Sequence, residues 1–497
     1  MAAIKKNESQ PAVFWAVVTH EARLLWRSGA VLLLFLFLAL WMALATMAGK
    51  KQGERQNALA RRAHAKDAAV LEKNTAEFAK DPQGFRGKPY TASLLWRQHA
   101  TLPAGPLAVL DAGQSDLRPS VYNLHTDWEK VFMAAGPLRN ESALRTGHFD
   151  VGFLSVQVLP LVVIALCFGV LASDRERGTM LILLSQPVSQ SVLLGAALLV
   201  RFLLLQFMFL GLAAIFGFGF GTIPVEAVPR FLLWSAVVTA YLVFWFAVAA
   251  VVVSTGGRAA MNALVLVMSW VVLTIAVPGA IGLAASARYT VPPRTAIIQQ
   301  VNVARDEAFE NWRDNEKSFR LFYRDFPELI PPGATVTARK INDPLTSDSD
   351  FQSRVMIVIP YALEQLGLRL SRPHRQAVQG KLDFIRQSRW LSPVVAAREG
   401  LMDVAGSGDA RFSSFDAQVA SFWKEWRYHW VKPMFRGPRL TVADYGKVPR
   451  FYFQEESVSD LATRLFPGLF ATLLLSLLLF VGATVVLRRH NSPLPSH

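Results

Sequence analysis

The sequence predicts an all-α membrane protein, with six transmembrane helices plus a mostly helical exterior domain. Three observations carry that reading. Hydrophobic residues make up 52% of the 497, and they come in blocks. Six blocks, at 31–48, 151–172, 191–221, 231–253, 259–283 and 465–487, are long enough to be spans. A helix rising ~1.5 Å per residue needs ~20 apolar residues to cross a bilayer core. The long polar stretches between the blocks read mainly as helices, and no strand-rich repeat stands out.

The blocks set the organisation. Residues 1–29 are an N-terminus with an interfacial helix, and 30–49 are the first span. Residues 50–150 form the first exterior segment. Residues 151–283 hold spans two to five, with a loop at 173–190. Residues 284–464 form the second exterior segment, and 465–497 the sixth span and tail.

The interfacial helix is read from AVFWAVVTHEARLLWR at 12–27. Phe14, Trp15, Val18, Ala22, Leu25 and Trp26 fall close to one face, while Glu21, Arg23 and Arg27 fall largely elsewhere. Trp at both ends suits a helix lying in the headgroup layer, with Trp15, Arg23 and Trp26 as its anchors. The alternative is an extension of the first span, and Ser28-Gly29 argues for a break between them. Lys5, Lys6, Arg23 and Arg27 precede the first span, so this end is expected in the cytoplasm. Alternation then places Arg175, Arg177, Arg258, Arg488 and Arg489 inside as well, and both long segments outside. Ala43-Leu44-Ala45 has the small residues of a cleavage site, but the n-region of such a signal peptide would be unusually long.

The first exterior segment opens at 50–80 with an Ala-, Lys-, Glu- and Arg-rich run free of proline, which reads as a helix continuing out of the membrane. Residues 81–120 are dense in Gly and Pro and read as irregular. In the second segment, helices are expected at about 294–325, 351–371, 374–390 and 412–430, punctuated by Pro331-Pro332, Asn342-Asp343-Pro344 and Gly406-Ser407-Gly408. The two segments are expected to pack together. Aromatics cluster from Phe412 to Trp430, with Phe435 just after, as either a binding surface or a domain core. The core is the plainer reading.

Composition excludes several functions. The charge of +15 is spread over many segments, without a dense or aromatic-interleaved basic run, so nucleic acid is not an expected partner. The single cysteine, Cys167, rules out an internal disulfide and a cysteine-built zinc site. The nine histidines form no pair at metal-ligand spacing, so no metal is assigned. Gly49-Lys50, Gly87-Lys88, Gly380-Lys381 and Gly446-Lys447 are none of them followed by Ser or Thr, so a phosphate loop is missing. No nucleophile elbow or H-E-x-x-H is present, and no catalytic residue is assigned. A carrier driven by an ion gradient keeps carboxylates at membrane depth. The six spans have no Asp, Glu, His or Lys in their interiors. Arg201 is their one clear ionisable residue; the plainer reading is that it snorkels to the inner surface, and the alternative is a role in a substrate path or a helix contact.

The loop DRERGTMLILLSQPVSQ at 174–190 therefore gains weight. Asp174, Arg175, Glu176 and Arg177 give a mixed-charge start, and Gly178 breaks the chain. Thr179 can cap a short helix through Met180, Leu181, Ile182, Leu183 and Leu184, which Ser185, Pro187 and Ser189 stop. Such a helix, held between two spans, would be a handle for force. The alternative is an ordinary short loop with a positive-inside start.

This loop resembles the coupling segment of ABC transporter permeases of the type-2 exporter class, where a pattern like E-x-G-T-x-x-x-L-L-S-x-P-V-S recurs. It stands here as Glu176, Gly178, Thr179, Leu183, Leu184, Ser185, Pro187, Val188 and Ser189, with Arg177 between the first two. The 12–27 segment is similar to that family's N-terminal interfacial helix. The stretch 391–423 resembles the outer region of a bacterial subfamily of copper-enzyme-maturation permeases, although Gly406-Ser407-Gly408-Asp409 departs from its Gly-Thr-Asp. The resemblance implies a membrane subunit of an ATP-driven exporter in the bacterial inner membrane, with both termini cytoplasmic. It implies no cofactor on this chain, because ATP is bound by a separate ABC ATPase subunit docked on the loop. It also implies a second permease subunit, identical or related. Mechanotransmission through the exterior domain, or a membrane-anchored assembly or maturation factor, are the alternatives.

Overall fold

A computed structural model of the chain describes residues 10–490 apart from 28, 97, 114, 116–117, 125–148, 186–187, 221, 311–315, 331–334, 337–340, 343–347 and 437–438. Lys5, Lys6, Ser28, Pro331, Pro332, Asp343 and Pro344 of the sequence reading lie outside the described residues.

Six helices are long and apolar enough to span a membrane: Ala30–Lys80, Val151–Glu176, Gln190–Gly219, Val225–Ser254, Ala259–Arg288 and Val458–Arg489. The helix Gln10–Arg27 precedes them. The fourth span is the hub, with 78% of its apolar window buried, against 11% for the fifth. Its Trp234, Tyr241 and Trp245 are among the largest fully buried side chains. The fifth span instead leaves Met261, Leu264, Met268, Val272 and Ile275 exposed, as suits a helix facing lipid or another membrane chain.

The first span does not stop at the membrane. It runs unbroken for 51 residues, so the helix expected at 50–80 is continuous with it. That length is about 75 Å at 1.5 Å per residue. Its far end carries Phe78 into a second core, separate from the membrane core.

This second core belongs to a head built from both long segments. Phe78, Trp96 and Leu102 of the first segment meet Phe322, Phe412, Trp426 and Trp430 of the second. Phe78 stacks on Tyr445 with ring centroids 4.6 Å apart, and Trp96 lies 5.8 Å from Trp430. Arg118 pairs with Asp409, and Tyr122 donates to Asp416 at 2.9 Å. The aromatic cluster of 412–435 is largely core. Phe412, Phe415, Trp426 and Trp430 are buried, and Arg427 lies over the Trp423 ring while pairing with buried Glu364 at 3.3 Å.

Two regions differ from the sequence reading. The stretch 81–120 is more ordered than its Gly and Pro content suggests. It contains the helix Pro89–Leu95, and Gln98–Thr101 pairs antiparallel with Val121–Leu124. Four-residue strands carry too little alternation to be read locally, and this one is fixed from outside. The His99 N–H donates to Asp67 on the long helix at 2.8 Å, and the Gln56 side chain donates to the Leu102 carbonyl at 3.1 Å.

The second difference is the helix Pro393–Ala405. It lies in the second long segment, yet it packs in the membrane core against the fourth and sixth spans. Val394, Ala397, Leu401, Val404 and Ala405 form its buried stripe. Its ends carry ordinary signals: Ser392 caps the start by accepting from the Val395 N–H, Pro393 opens it, and Gly406 closes it at φ 78°. At 13 residues it is too short to cross a bilayer, so composition does not reveal its depth.

Glycine marks where this helix, the first span and the 103–113 loop meet. A Cβ on Gly49 would fall on the Val109 carbonyl, and one on Gly105 on the Ala405 carbonyl. A Cβ on Gly53, one turn further along the same helix, would make an ordinary 3.7 Å contact with Ala104. An alanine inside a helix normally gains about 0.5–1 kcal/mol over glycine. Gly53→Ala is therefore expected to raise the thermal unfolding midpoint and Gly49→Ala to lower it, measured on the detergent-solubilised chain. A rise in both would show that the 103–113 loop yields freely.

Candidate functional site

The loop between the second and third spans is built from their ends. After Cys167 the second span turns at 168–171, where Leu171 takes φ 59°, and resumes as Ala172–Glu176. A buried leucine in that region stores of order 1–3 kcal/mol of strain. Gly178 then turns the chain at φ 75° with open space around its Cα, and Met180–Ser185 forms a short helix. The third span starts at Gln190, capped by Ser189.

Hydrogen bonds fix this arrangement. The Thr179 hydroxyl donates back to the Asp174 carbonyl and carboxylate, both at 3.2 Å, and so closes the Gly178 turn. The expected use of that hydroxyl was as a cap for the helix that follows. The Glu176 carboxylate accepts from the Ala259 N–H at 2.9 Å, the first residue of the fifth span. A carboxylate there satisfies an otherwise unpaired donor and complements the positive end of the helix dipole. Just above, Asn262 of the fifth span donates to the Phe168 carbonyl at 3.3 Å.

Glu176, Arg177, Gly178, Thr179 and Ser185 are exposed. Met180 is buried in the membrane core, and Ile182 points outward with 68% of its surface exposed. The short helix is thus pinned by one side chain and presents others. Leu183 and Leu184 lie within it, with side chains outside the described set, and Pro187 lies outside the described residues.

The helix Gln10–Arg27 lies against the third span. Phe14, Val17, Val18, Glu21 and Leu25 are its half-buried stripe, while Trp15, Arg23 and Trp26 are exposed. Glu21, expected off the inward face, lies on it. There it pairs with Arg201 of the third span at 2.8 Å. Arg201 also donates to the Leu166 carbonyl of the second span and the Ala197 carbonyl of its own, each at 2.9 Å. Among the readings of Arg201, these bonds show the helix contact. No sequence pattern could pair residues 180 positions apart.

The loop and the Gln10–Arg27 helix thus converge on one end of the bundle. The loop holds the second, third and fifth spans, and the Arg201 cluster holds the N-terminal helix, the second and the third.

A family model described as ABC-2 family transporter protein matches residues 15–367. A second, described as a domain of unknown function (DUF3526), matches residues 294–454. Neither description mentions copper-enzyme maturation. No curated protein and no solved structure matches the chain.

Removing one partner of a buried ion pair strands the other charge and costs more than removing both. Glu21→Ala and Arg201→Met are each expected to raise proteolytic cleavage within residues 10–27 several-fold, in protein reconstituted into lipid. The double variant should be less sensitive than either single change. Additive sensitivity would mean that the pair does not hold the helix.

Proposed function

The chain belongs to the ABC-2 family of transporter proteins, and from that membership we propose that it is an exporter subunit driven through its 174–190 loop by a separate ATPase. As a family member it is a multi-pass membrane permease of an ABC transporter, and an ABC ATPase is the partner the family implies. The finer reading concerns where that partner docks and what its motion does.

The observation that carries it is the pinned and exposed loop. A docking helix must be accessible on one side and mechanically attached on the other. Met180–Ser185 has both properties, through exposed Ile182 and buried Met180. Force on it passes along the chain into the second and third spans. The Glu176 bond to Ala259 carries it into the fifth, and Arg201 into the N-terminal helix. Trp15 and Trp26 then face the headgroup layer and Arg23 the anionic surface, which lets that helix slide with the bundle.

Arg175, Arg177 and Arg258 gather at this same end, which supports a cytoplasmic placement for it and for both termini. The head would then stand outside the inner membrane. Two such permeases, identical or related, would enclose a path that ATP-driven closure opens alternately to each side. ATP stays on the partner, and the loop residues act by contact alone.

One observation favours a second reading, in which the ATPase moves the head rather than a cargo. The first span and the head's long helix are a single rigid rod, so tilting the span swings the head.

Glu176→Gln weakens the bond to the fifth span, and Gly178→Val forces a branched side chain into the left-handed region. Each change is expected to cost ATPase docking about 1.4 kcal/mol or more, which is tenfold in affinity. Co-purification of the ATPase from the cell membrane measures this, against a control at exposed Lys73 of the head's long helix, Lys73→Ala. Unchanged co-purification and unchanged ATP turnover in both loop variants would overturn the docking site. Full assembly and ATP-dependent head crosslinks without any transported species would favour the second reading.

A further inference from the structure

We propose that Glu399 is a proton-binding site at the joint between the head and the membrane core, and that losing its proton loosens that joint. The six spans have no carboxylate of their own in their interiors, but the inserted Pro393–Ala405 helix supplies two, Glu399 and Asp403. This goes beyond the loop's role and stands whether or not the loop docks an ATPase.

The geometry begins with depth. Arg230 of the fourth span bonds the Glu456 carbonyl at 2.9 Å and marks the rim of the bundle on the head side. Tyr241 lies about 16 Å further along that span at 1.5 Å per residue. A cavity reaches this level. It is lined by Val237 and Tyr241 of the fourth span, by Leu465, Gly468 and Thr472 of the sixth, and by Arg389, Glu399 and Asp403. Its volume of about 20 Å³ has room for about one water.

The charged groups around it are unequally satisfied. On the same helix, Asp403 is engaged by Arg464 of the sixth span at 3.2 Å, and Arg464 is also held by Glu456. Arg398 is exposed. On the preceding helix, Arg386 leans on Asp383 at 3.5 Å. Arg389 donates to the Arg464 carbonyl at 3.3 Å, and its buried Nε has no partner among the described residues. The fourth span presents no charge here, since the Tyr241 hydroxyl is committed to the Val156 carbonyl at 3.0 Å. Asp409, on the helix that follows, adds a distant negative charge. Glu399, half-buried, has neither a hydrogen bond nor an ion pair among the described residues.

A carboxylate in such a place is costly unless it is neutral. Burial first, and the neighbouring Asp403 second, push the Glu399 carboxyl up to about 7. Asp403 is pushed up as well, by burial, with Arg464 opposing. The protonated acid fits a cavity of that size. The carboxylate draws in water or pulls Arg389 away from the Arg464 carbonyl, and either one separates the inserted helix from the sixth span. The sign follows from linkage. An acid whose pKa is raised by packing stabilises the packed state while it keeps its proton, and that contribution is lost as pH rises through the folded value.

The test uses full-length protein in lipid nanodiscs. An Ala396→Cys substitution places a thiol beside Gly468, and the only native cysteine, Cys167, is buried. Maleimide labelling is measured from pH 5.5 to 8.5, with and without Glu399→Gln, and the ratio of the two cancels the thiol's own titration. The ratio is expected near one at the acid end, rising several-fold with a midpoint near 7. A flat ratio would overturn the proposal. Infrared difference spectra of the unmodified chain give a second reading independent of the variant. A protonated-carboxyl band should titrate near neutrality and vanish in Glu399→Gln. If no such band is found, or if it survives the substitution, the proposal fails.

Discussion

A guanidinium cannot sit unpaired at membrane depth, and the pairing of Arg201 organises the end of the bundle where the loop lies. Its Nε and Nη1 find three acceptors, and they come from three elements: Glu21, the Leu166 carbonyl and the Ala197 carbonyl. Hydrocarbon offers no substitute partner, so the three must stay together. The N-terminal helix is thereby fixed in position and rotation. Its remaining faces are assigned by default: Trp15 and Trp26 go outward, and Phe14 sits over Gly195. The loop sits on spans that this contact already ties together. Arg201 ties the third span to the second and to the N-terminal helix, and Glu176 ties the second to the fifth.

The same accounting separates what could be read in the sequence from what could not. The spans were legible because bilayer thickness imposes a length on apolar runs. The continuation of the first span past Gly49 was legible from its run of good helix formers, and Gly178 from its place between a charged turn and an apolar run. These are local signals. Glu21 was misjudged for the opposite reason. On a helical wheel it belongs with the polar residues, and only the distant Arg201 makes its inward position favourable. The Pro393–Ala405 helix shows a third case. Ser392, Pro393 and Gly406 announce its ends, yet no local property tells a short apolar helix in a head from one inserted between spans. Within the loop, the turn could be read, but the acceptor role of Glu176 could not, because Ala259 is 83 positions away.

Two of the joints between the head and the membrane core differ mechanically. One is the continuous helix Ala30–Lys80, which transmits tilt. The other is the inserted helix with the charges that hold it. Arg411 bonds Glu455 and the Pro103 and Gly406 carbonyls, and so gathers three segments around the helix C-terminus. Arg464 holds Asp403 and Glu456 from the sixth span, and Arg230 reaches both the Glu455 carboxylate and the Glu456 carbonyl from the fourth.

Buried ion pairs are a poor source of stability, since desolvation offsets most of their attraction, but they define a single register. Apolar contact between Leu401 and the fourth and sixth spans would tolerate sliding by a turn. The Arg464 fork would not, because a one-turn slip of the inserted helix leaves Asp403 without its partner. The joint therefore has one seated position and a steep cost for leaving it. An element of that kind responds in an all-or-none manner to a small change in charge, which is the condition a single titrating carboxyl needs in order to matter. Glu399 lies where that condition is met. It is one turn from the fork and outside its pairing, so its charge can change without first breaking the fork.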